Sequence, residues 1–430
     1  MGRVEEVTIT RRVFVGSLAG WVMDAFDLSM MFLLVPVMAD VFFPAKYGLA
    51  IVGTWSIYTT TFVFRPIGGV IFGRLGDRIG RRNTMVITLT GLGLIVFATG
   101  FLPTYEQVGI LAPILLFIFR VITGTFAGGE YGNSAAILVE SVDRERRGLW
   151  GALLQSGYPI GYTLAALVYL GLHYVIPKSS FTQLGWRWMF WIGIIPALIG
   201  LAIRLSMPES ILWERVARER GVNKAPFTTI LRNPAYRFGA LTGILAMTGI
   251  AWVYGLTLGF YPTVLSYHNF LTFPYFLYVV IVAILVSLLG YLTSGFVSDI
   301  IGRRATMIAF SASAIALAIP LTYLILRHAY GFYGIMALAS ILAFLTTGIY
   351  GVIPAYLSEK FSTDVRSTGV GFSFNGGFIV GNWSTAFLLL ISSIGSPGFY
   401  AYWGLFVIIG EAMILASALL SNETRGIELQ

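Results

Sequence analysis

Long apolar segments separated by short charged ones dominate this sequence and restrict what it can fold into. Of its 430 residues, 57% are hydrophobic and 11% are charged, whereas a soluble domain carries about 25% charged residues. An apolar segment of about 20 residues has the length of a membrane-spanning helix. The composition therefore excludes an ordinary soluble enzyme, a disordered chain and a nucleic-acid-binding domain. The absence of cysteine excludes disulfides and thiol chemistry.

Twelve apolar segments are long enough to cross a bilayer, and we number them spans 1 to 12 in chain order. They cover residues 13–39, 51–72, 83–101, 108–136, 149–172, 187–206, 237–262, 274–298, 304–326, 332–357, 367–391 and 399–420. The first is no cleavable signal peptide, because its apolar run is too long and further spans follow. An even number of spans places both termini on the same side of the membrane.

The basic residues indicate which side this is. With the N-terminus in the cytoplasm, 22 of the 28 lysines and arginines fall in cytoplasmic segments, including seven from Arg204 to Arg237. The exceptions are Lys46, Lys178, Arg187 and Arg327 in outer loops and Arg65 and Arg120 within spans. Because cytoplasmic loops of membrane proteins are enriched in lysine and arginine, we predict a multi-pass protein of the cell membrane with both termini in the cytoplasm. The net charge of +8 then requires no nucleic-acid partner.

The loop after span 2 is repeated after span 8. Residues 73–87 read GRLGDRIGRRNTMVI and residues 295–309 read GFVSDIIGRRATMIA, so that Asp77 and Asp299 are 222 positions apart. A second pair of matches, Glu140 with Arg147 and Glu359 with Arg366, has an offset of 219. Pro208-Glu209-Ser210 is also echoed by Asn422-Glu423-Thr424. We therefore predict two six-helix bundles, residues 1–206 and 235–430, joined by a cytoplasmic linker at 207–234.

The repeated charges predict a cytoplasmic gate that holds one conformation closed. An acid at the inner end of a span can contact helix ends and the arginines of a facing loop, while glycine permits the tight turn between two helices. The predicted gate residues are Asp77, Arg81, Glu140, Arg147, Asp299, Arg303, Glu359 and Arg366. The alternative is a basic loop that only sets topology, with an acid that caps a helix.

These loops resemble the signature of the major facilitator superfamily, as does the spacing of Arg120, Gly124 and Gly128 in span 4. Finer matches, MDAFD at 23–27, RPIGG at 65–69, GGEYGNS at 128–134 and LQSGY at 154–158, are similar to the sialate:proton symporter family and to the neighbouring metabolite:proton symporters. The resemblance implies an all-α integral membrane protein with the major facilitator fold, twelve transmembrane helices in two pseudo-symmetric six-helix bundles, and a substrate site near the midplane.

Charged side chains within spans need an explanation, because each costs about 2.5–3.5 kcal/mol at a helix centre. Asp24 and Asp27 share a face of span 1, being three positions apart. At about 1.5 Å per residue, the depths allow Asp27 to contact Arg120, an arrangement that resembles proton-coupled sugar porters. The candidates for proton coupling are Asp24, Asp27, Glu130 and Arg120, and Arg65 is available to Asp24 or Glu130.

Burial favours a protonated carboxyl whereas a nearby arginine favours the ionised form, so small movements can load or release a proton. Protonation of Asp27 would free Arg120 to attract an anionic substrate. The alternative for each pair is a purely architectural role. Further candidates for substrate binding are polar or aromatic side chains within spans: Gln155, Tyr158, Tyr254, Tyr350, Asn375 and Asn382, together with Arg120.

The sequence thus predicts a secondary transporter that works by alternating access, with proton symport of a small organic anion such as a monocarboxylate or sugar acid. The alternatives are a proton-coupled or facilitative sugar or polyol porter and a transporter-like nutrient sensor, which needs a long signalling tail. No phosphate-binding loop, H-E-x-x-H motif or metal cluster occurs, so we expect no cofactor, no metal and no enzyme activity. The expected partners are the substrate, protons and the lipid bilayer, and we expect a monomer.

Overall fold

A computed structural model describes residues 3–43, 47–177, 180–266, 270–272, 274–327 and 330–429. The regular secondary structure of these residues is helical, and no β-strand occurs among them. Lys46 and Lys178, which the sequence places in outer loops, lie outside the described residues.

The helices of the first half are numbered here in chain order. They are α1 (Arg3–Phe42), α2 (Tyr47–Ile79), α3 (Arg81–Thr99), α4 (Tyr105–Val108), α5 (Leu111–Glu140), α6 (Arg147–Gln155), α7 (Gly157–Val175), α8 (Trp186–Ile192) and α9 (Ile194–Leu205). A 3₁₀ turn, Arg144–Arg146, precedes α6, and a π-helical turn, Phe181–Gly185, precedes α8. The predicted linker contains α10 (Ile211–Arg220) and α11 (Pro226–Arg232).

The second half continues the same numbering. Its helices are α12 (Pro234–Leu256), α13 (Tyr261–Ser266), α14 (Tyr275–Ile301), α15 (Arg303–Leu326), α16 (Gly331–Thr347), α17 (Ile353–Ser358), α18 (Arg366–Gly381), α19 (Ser384–Ile391) and α20 (Phe399–Leu420). A 3₁₀ turn, Gly348–Val352, joins α16 to α17.

Ten stretches of the described residues are long and apolar enough to cross a membrane. They correspond to ten of the twelve predicted spans. The predicted span 51–72 lies in α2, where Arg65 and several threonines lower the hydropathy, and 149–172 is divided at Ser156 into α6 and α7. Both are helical, so the prediction of helices at these positions is confirmed.

The contacts group the chain into two compact units. The first comprises residues 1–141, 160–227 and 363–372, and the second comprises residues 142–159, 228–362 and 373–430. Each unit therefore draws a short segment from the opposite half of the sequence. The predicted division into bundles 1–206 and 235–430, which rests on the sequence repeat, stays a prediction.

Glycines allow α2 and α5 of the first unit to pack with their backbones in close contact. A Cβ atom at Gly124 or Gly128 of α5 would overlap the carbonyl oxygen of Thr61 or Arg65 on α2. Gly68 of α2 stands in the same relation to the Thr125 carbonyl. Small residues are the usual means of close helix contact in membranes. This approach brings the side chain of Arg65 next to the helices that carry the acids of the first unit.

We predict that Gly124→Ala lowers the thermal stability of the detergent-solubilised protein, because the added methyl group must displace the α2 backbone. Overpacking of this kind costs about 1–3 kcal/mol. The matched control is Gly171→Ala on α7, where a Cβ atom meets nothing within 4 Å. An unfolding temperature of Gly124→Ala equal to that of the control would contradict the prediction.

Candidate functional site

Three of the buried carboxylates in the first unit lie within predicted spans, and each contacts an arginine. Asp24 and Asp27 come from α1 and Glu130 from α5, and the exposure of each is at most 1%. Their partners Arg65, Arg120 and Arg204 are fully buried as well. A buried charge is tolerated only when it is paired and hydrogen-bonded. The fold therefore requires these ion pairs, whatever part they take in the function.

Asp24 and Arg65 form a two-bond, side-by-side pair. Arg65 Nη1 donates to Asp24 Oδ1 at 2.9 Å and Nη2 donates to Oδ2 at 2.6 Å. This fork geometry is the strongest form of guanidinium–carboxylate contact. Of the two partners that the sequence offered to Arg65, the structure selects Asp24.

Asp27 and Arg120 form the ion pair that helix depth predicts, with longer hydrogen bonds than those between Asp24 and Arg65. Arg120 Nη1 alone donates to both Asp27 oxygens, at 3.1 and 3.2 Å, while Nη2 donates to Thr99 Oγ1 at 3.2 Å. Arg120 Nε has no hydrogen-bond partner among the described residues. The guanidinium lies over the Phe190 ring, 5.7 Å from its centroid. This pair has longer bonds than the Asp24–Arg65 fork and an unused donor.

Glu130 contacts Arg204 of α9, which corrects two expectations. The sequence offers Arg65 as a partner of Glu130 and places Arg204 among the cytoplasmic charges. In the structure both Arg204 terminal nitrogens donate to the Glu130 carboxylate, one of them at 2.8 Å, and Thr88 and Ser134 hydroxyls donate at 3.0 Å. Arg204 also donates to the carbonyls of two helices, Gly16 at 3.0 Å and Met85 at 2.7 Å.

Glycine is required where this pair meets α1. A Cβ atom at Gly20 would overlap both the Arg204 guanidinium and the Glu130 carboxylate. The Glu130–Arg204 pair therefore joins α1, α3, α5 and α9 through hydrogen bonds. The signal in the sequence is weak, because Arg204 stands at the end of an apolar run where an arginine ordinarily reaches water.

The predicted substrate-binding residues other than Arg120 all belong to the second unit. Gln155 is fully buried, and neither its amide nitrogen nor its oxygen has a partner among the described residues. The rings of Tyr158 and Tyr254 meet edge to face with centroids 5.3 Å apart, so the structure brings spans 5 and 7 together there. A buried amide with unmet hydrogen bonds is a group that a polar ligand can satisfy.

The remaining three candidates are less available to a substrate. Tyr350 lies 5.8 Å from the Tyr291 ring, and Asn375 is fully buried on α18. Asn382 is half-buried, and its amide donates at 3.2 Å to the Phe378 carbonyl of its own helix. Because its amide already caps its own helix, Asn382 is the weakest of the six candidates for substrate binding.

Four of the predicted gate residues form a cluster in the first unit. Arg81 contacts Asp77 and Glu140, each at 3.3 Å, and Arg366 contacts Glu140 at 2.6 Å. Asp77 also accepts the Ser367 and Thr368 backbone N–H groups at 3.2 and 3.0 Å, at the start of α18. A carboxylate at a helix N-terminus is stabilised by the unpaired N–H groups and the helix dipole.

The other four form a matching cluster in the second unit. Arg303 contacts Asp299 at 2.6 Å and Glu359 at 3.0 Å, and Arg147 lies 3.8 Å from Glu359. Asp299 accepts the Gly148 and Leu149 backbone N–H groups, both at 2.8 Å, at the start of α6. The duplicated residues of the sequence thus make equivalent contacts in the two units.

The partners within these clusters differ from one expectation. In the sequence, Glu140 and Arg147 look like complementary charges on one cytoplasmic loop. The structure pairs Glu140 with Arg366 and places Arg147 by Glu359. Glu140 and Arg147 thus belong to different compact units.

Two glutamates that no gate prediction included complete the clusters. Glu209 accepts the backbone N–H groups of Arg81 and Arg82 at 3.0 and 3.1 Å, at the first residues of α3. Glu423 accepts those of Arg303 and Arg304 at 2.9 and 3.0 Å, at the first residues of α15. The echo of Pro208-Glu209-Ser210 in Asn422-Glu423-Thr424 was their signal in the sequence.

Glycine precedes each capped helix for a physical reason. Gly80 has φ +102° and Gly302 φ +101°, a region that L-residues with a side chain rarely adopt. A Cβ atom at either position would also overlap the capping carboxylate. The neighbours Ser210 and Thr424 then donate hydroxyl hydrogen bonds to Glu140 and Glu359.

The pKa values of the two capping carboxyl groups shift in opposite directions. Burial raises the pKa of Glu209 despite its backbone hydrogen bonds. At Glu423 burial acts in the same direction, but the N–H groups of Arg425, Arg303, Arg304 and Thr424 outweigh it and lower the pKa. No group of three or more histidine, cysteine or acidic residues that could hold a metal ion occurs in the ranges that the structure describes.

Comparison with known proteins gives concordant results. The family model described as "Major Facilitator Superfamily" matches residues 17–385. The chain is 30% identical over 424 residues to the probable 4-methylmuconolactone transporter of Cupriavidus pinatubonensis, covering 98% of this chain and 92% of that protein. It is 28% identical to the glycine betaine/proline/ectoine/pipecolic acid transporter OusA of Dickeya dadantii, over 86% of this chain and 76% of OusA.

A solved structure shows a similar fold. The proton:xylose symporter XylE, bound to 6-bromo-6-deoxy-D-glucose, superposes with a TM-score of 0.79 at 19% identity, covering 99% of this chain and 98% of that one. At this identity the likeness concerns the fold alone.

We predict that Glu423→Gln destabilises the protein near neutral pH, because the glutamine amide has no negative charge to stabilise the start of α15. Loss of a helix cap costs about 1 kcal/mol. Since the pKa of Glu423 is lowered in the folded state, its contribution is present above the ordinary value of 4.5 and is lost as the pH falls through the folded value.

The measurement is the unfolding temperature of both proteins as a function of pH. The difference between them should shrink as the pH falls below the ordinary glutamate value. Glu428→Gln, whose side chain is 86% exposed, is the matched control and should change little. A difference that is constant with pH would show that the charge of Glu423 contributes nothing.

Proposed function

We propose that this chain, which belongs to the major facilitator superfamily, is a proton-coupled symporter of a small organic anion. Its relatives are transporters and not enzymes, so membership makes the chain a secondary transporter of metabolites. Within the superfamily we place it with the sialate:proton symporters and their metabolite-transporting neighbours, on the motifs in α1, α2, α5 and α6.

The geometry of Asp27 and Arg120 carries the proposal. Their contact uses a single guanidinium nitrogen, at 3.1 and 3.2 Å, and both side chains are buried. Removing one partner of a buried ion pair costs about 3–5 kcal/mol, because the other charge is left uncompensated. Protonation of Asp27 therefore makes Arg120 a buried, unbalanced cation.

An anion restores the balance. A carboxylate that pairs with Arg120 lowers the cost of protonating Asp27, and the proton equally raises the affinity for the carboxylate, since coupling between two ligands is reciprocal. Deprotonation of Asp27 re-forms the internal pair and expels the anion. This requirement for charge balance favours an anionic over a neutral substrate, and the unused Nε of Arg120 supplies a donor for it.

Asp24 and Glu130 stay candidates for coupling, but the hydrogen bonds that hold Asp24 are shorter than those of Asp27 and those that hold Glu130 are more numerous. Asp24 has two short bonds to Arg65, and Glu130 has Arg204, Thr88 and Ser134. We propose that these two pairs fix the helices around Asp27 and Arg120. The two gate clusters then close the pathway at the cytoplasmic ends of the helices, with both termini in the cytoplasm and the protein a monomer in the cell membrane.

Gln155 is the second group that we assign to the substrate. Its amide supplies a donor and an acceptor that have no partner among the described residues, and the Tyr158–Tyr254 pair is part of the same unit. A hydroxyl, carbonyl or amine group of a substrate matches this combination of amide and aromatic groups.

We predict that Asp27→Asn abolishes accumulation of substrate driven by a pH gradient in proteoliposomes while exchange of internal for external substrate continues. Asparagine cannot take up the proton, and it leaves Arg120 permanently available to the anion. Asp40→Asn, at an exposed position of the same helix, is the matched control and should keep accumulation. Uphill uptake by Asp27→Asn at the wild-type rate would refute coupling at this residue.

The substrate class is tested by counterflow with labelled compounds of different charge. We expect exchange with monocarboxylates and sugar acids, and none with neutral sugars such as xylose. The substrates named for OusA, glycine betaine, proline, ectoine and pipecolic acid, form the third arm of the panel. Exchange with xylose and no carboxylate would instead support the sugar-porter alternative.

A further inference from the structure

A carboxyl group in the second unit has no role in the transport proposed above. Glu411 lies in the middle of α20 and is 1% exposed. Neither of its oxygens has a hydrogen-bond partner among the described residues. This contrasts with Asp24, Asp27 and Glu130, each of which contacts an arginine.

The packing of α20 against α15 shows what Glu411 faces. The helices run antiparallel, because Thr322 Oγ1 of α15 donates to the Tyr400 carbonyl of α20 at 2.9 Å, whereas Arg304 lies 3.4 Å from the Leu419 carbonyl at the other end. Between them a Cβ atom at Gly404 would meet Ile319. In each pair the two residue numbers sum to nearly the same value, and this register places Glu411 opposite Ser311.

Ser311, the residue opposite Glu411, carries a hydroxyl group that also needs a hydrogen-bond partner. It is fully buried, and its hydroxyl oxygen has no hydrogen-bond partner in the part of the chain that the structure describes. Buried hydroxyls and carboxyls are nearly always hydrogen-bonded. The register of the two helices therefore makes this hydroxyl the polar partner that is available to the Glu411 carboxyl group.

No opposite charge is available to an ionised Glu411. The helices α12, α15 and α19 pack against α20, and their charged residues are Arg237, Arg303 and Arg304, all near helix starts. Arg237 is exposed, Arg303 contacts Asp299 and Glu359, and Arg304 lies by the Leu419 carbonyl. An isolated carboxylate in such surroundings neutralises instead of remaining charged.

A metal ion fits this place poorly. Hard cations take about six oxygen ligands, whereas two carboxyl oxygens and one hydroxyl supply three, and the surrounding backbone carbonyls belong to helices. A proton needs one acceptor only.

We propose that Glu411 is a proton-binding site in which a neutral carboxylic acid donates a hydrogen bond to Ser311 across the α15–α20 interface. The proton is additional to the one exchanged at Asp27, and it stays bound while the transporter operates. The site takes a proton and no other ligand, and it holds the two helices together by a hydrogen bond in place of an ion pair.

The test is infrared spectroscopy of the full-length protein in liposomes. We expect the C=O stretch of a protonated carboxylic acid, shifted in heavy water, in the wild type at about pH 7, since buried glutamates protonated at that pH are documented. Glu411→Gln should lose this band. Glu219→Gln, whose side chain is 56% exposed, should lose none and is the matched control.

The opposite result is equally clear. Loss of a carboxylate band in Glu411→Gln, with no loss of a protonated one, would show that Glu411 is ionised and would overturn the proposal. If Glu411→Gln does not fold, Ser311→Ala decides, because removal of the acceptor must shift the band and an unshifted band contradicts the hydrogen bond. Loss of coupled uptake in folded Glu411→Gln would overturn the claim that this proton is separate from the transported one.

Discussion

The neutralisation of buried charge is the constraint on which the first unit depends. Within the predicted spans of this unit, three acids and three arginines lie out of contact with water, and each must meet its opposite to remain ionised. Close helix packing makes this possible, because glycines at 20, 124 and 128 let the guanidinium groups and backbones approach. In the coupling that we propose, the same requirement makes a proton act as a switch, since removing one charge from a pair leaves the other in need of a new partner.

The two clusters of predicted gate residues use the same chemistry at helix ends. Asp77 and Asp299 each accept two backbone N–H groups at the start of a helix, and Glu209 and Glu423 do so at two further helices. The clusters are not identical. Arg366 contacts Glu140 at 2.6 Å, whereas Arg147 stands 3.8 Å from Glu359 and donates to the Ile427 carbonyl at 2.7 Å. A duplicated sequence has thus diverged in the strength of one contact.

Helix depth was sufficient to anticipate the contact of Asp27 with Arg120, because both are charged residues within apolar runs, at depths that allow them to meet. It was insufficient for Glu130, whose partner Arg204 ends a span and has the sequence signature of a loop residue. The hydrogen-bond caps at Glu209 and Glu423 were also beyond reach. A repeated tripeptide shows that two positions are related, but not which N–H groups the side chains meet.

The sequence by itself determined the class of molecule: helices of membrane-spanning length, a duplicated loop motif and acids placed within apolar runs. These properties are local, since they follow from the order of apolar and charged residues along one helix or loop. Only the tertiary structure decided which arginine each acid meets, that Glu140 pairs with Arg366 and not Arg147, and that Glu411 meets none. The physical reason is that charge pairing acts over a few ångströms between different helices, and the packing of those helices sets these distances.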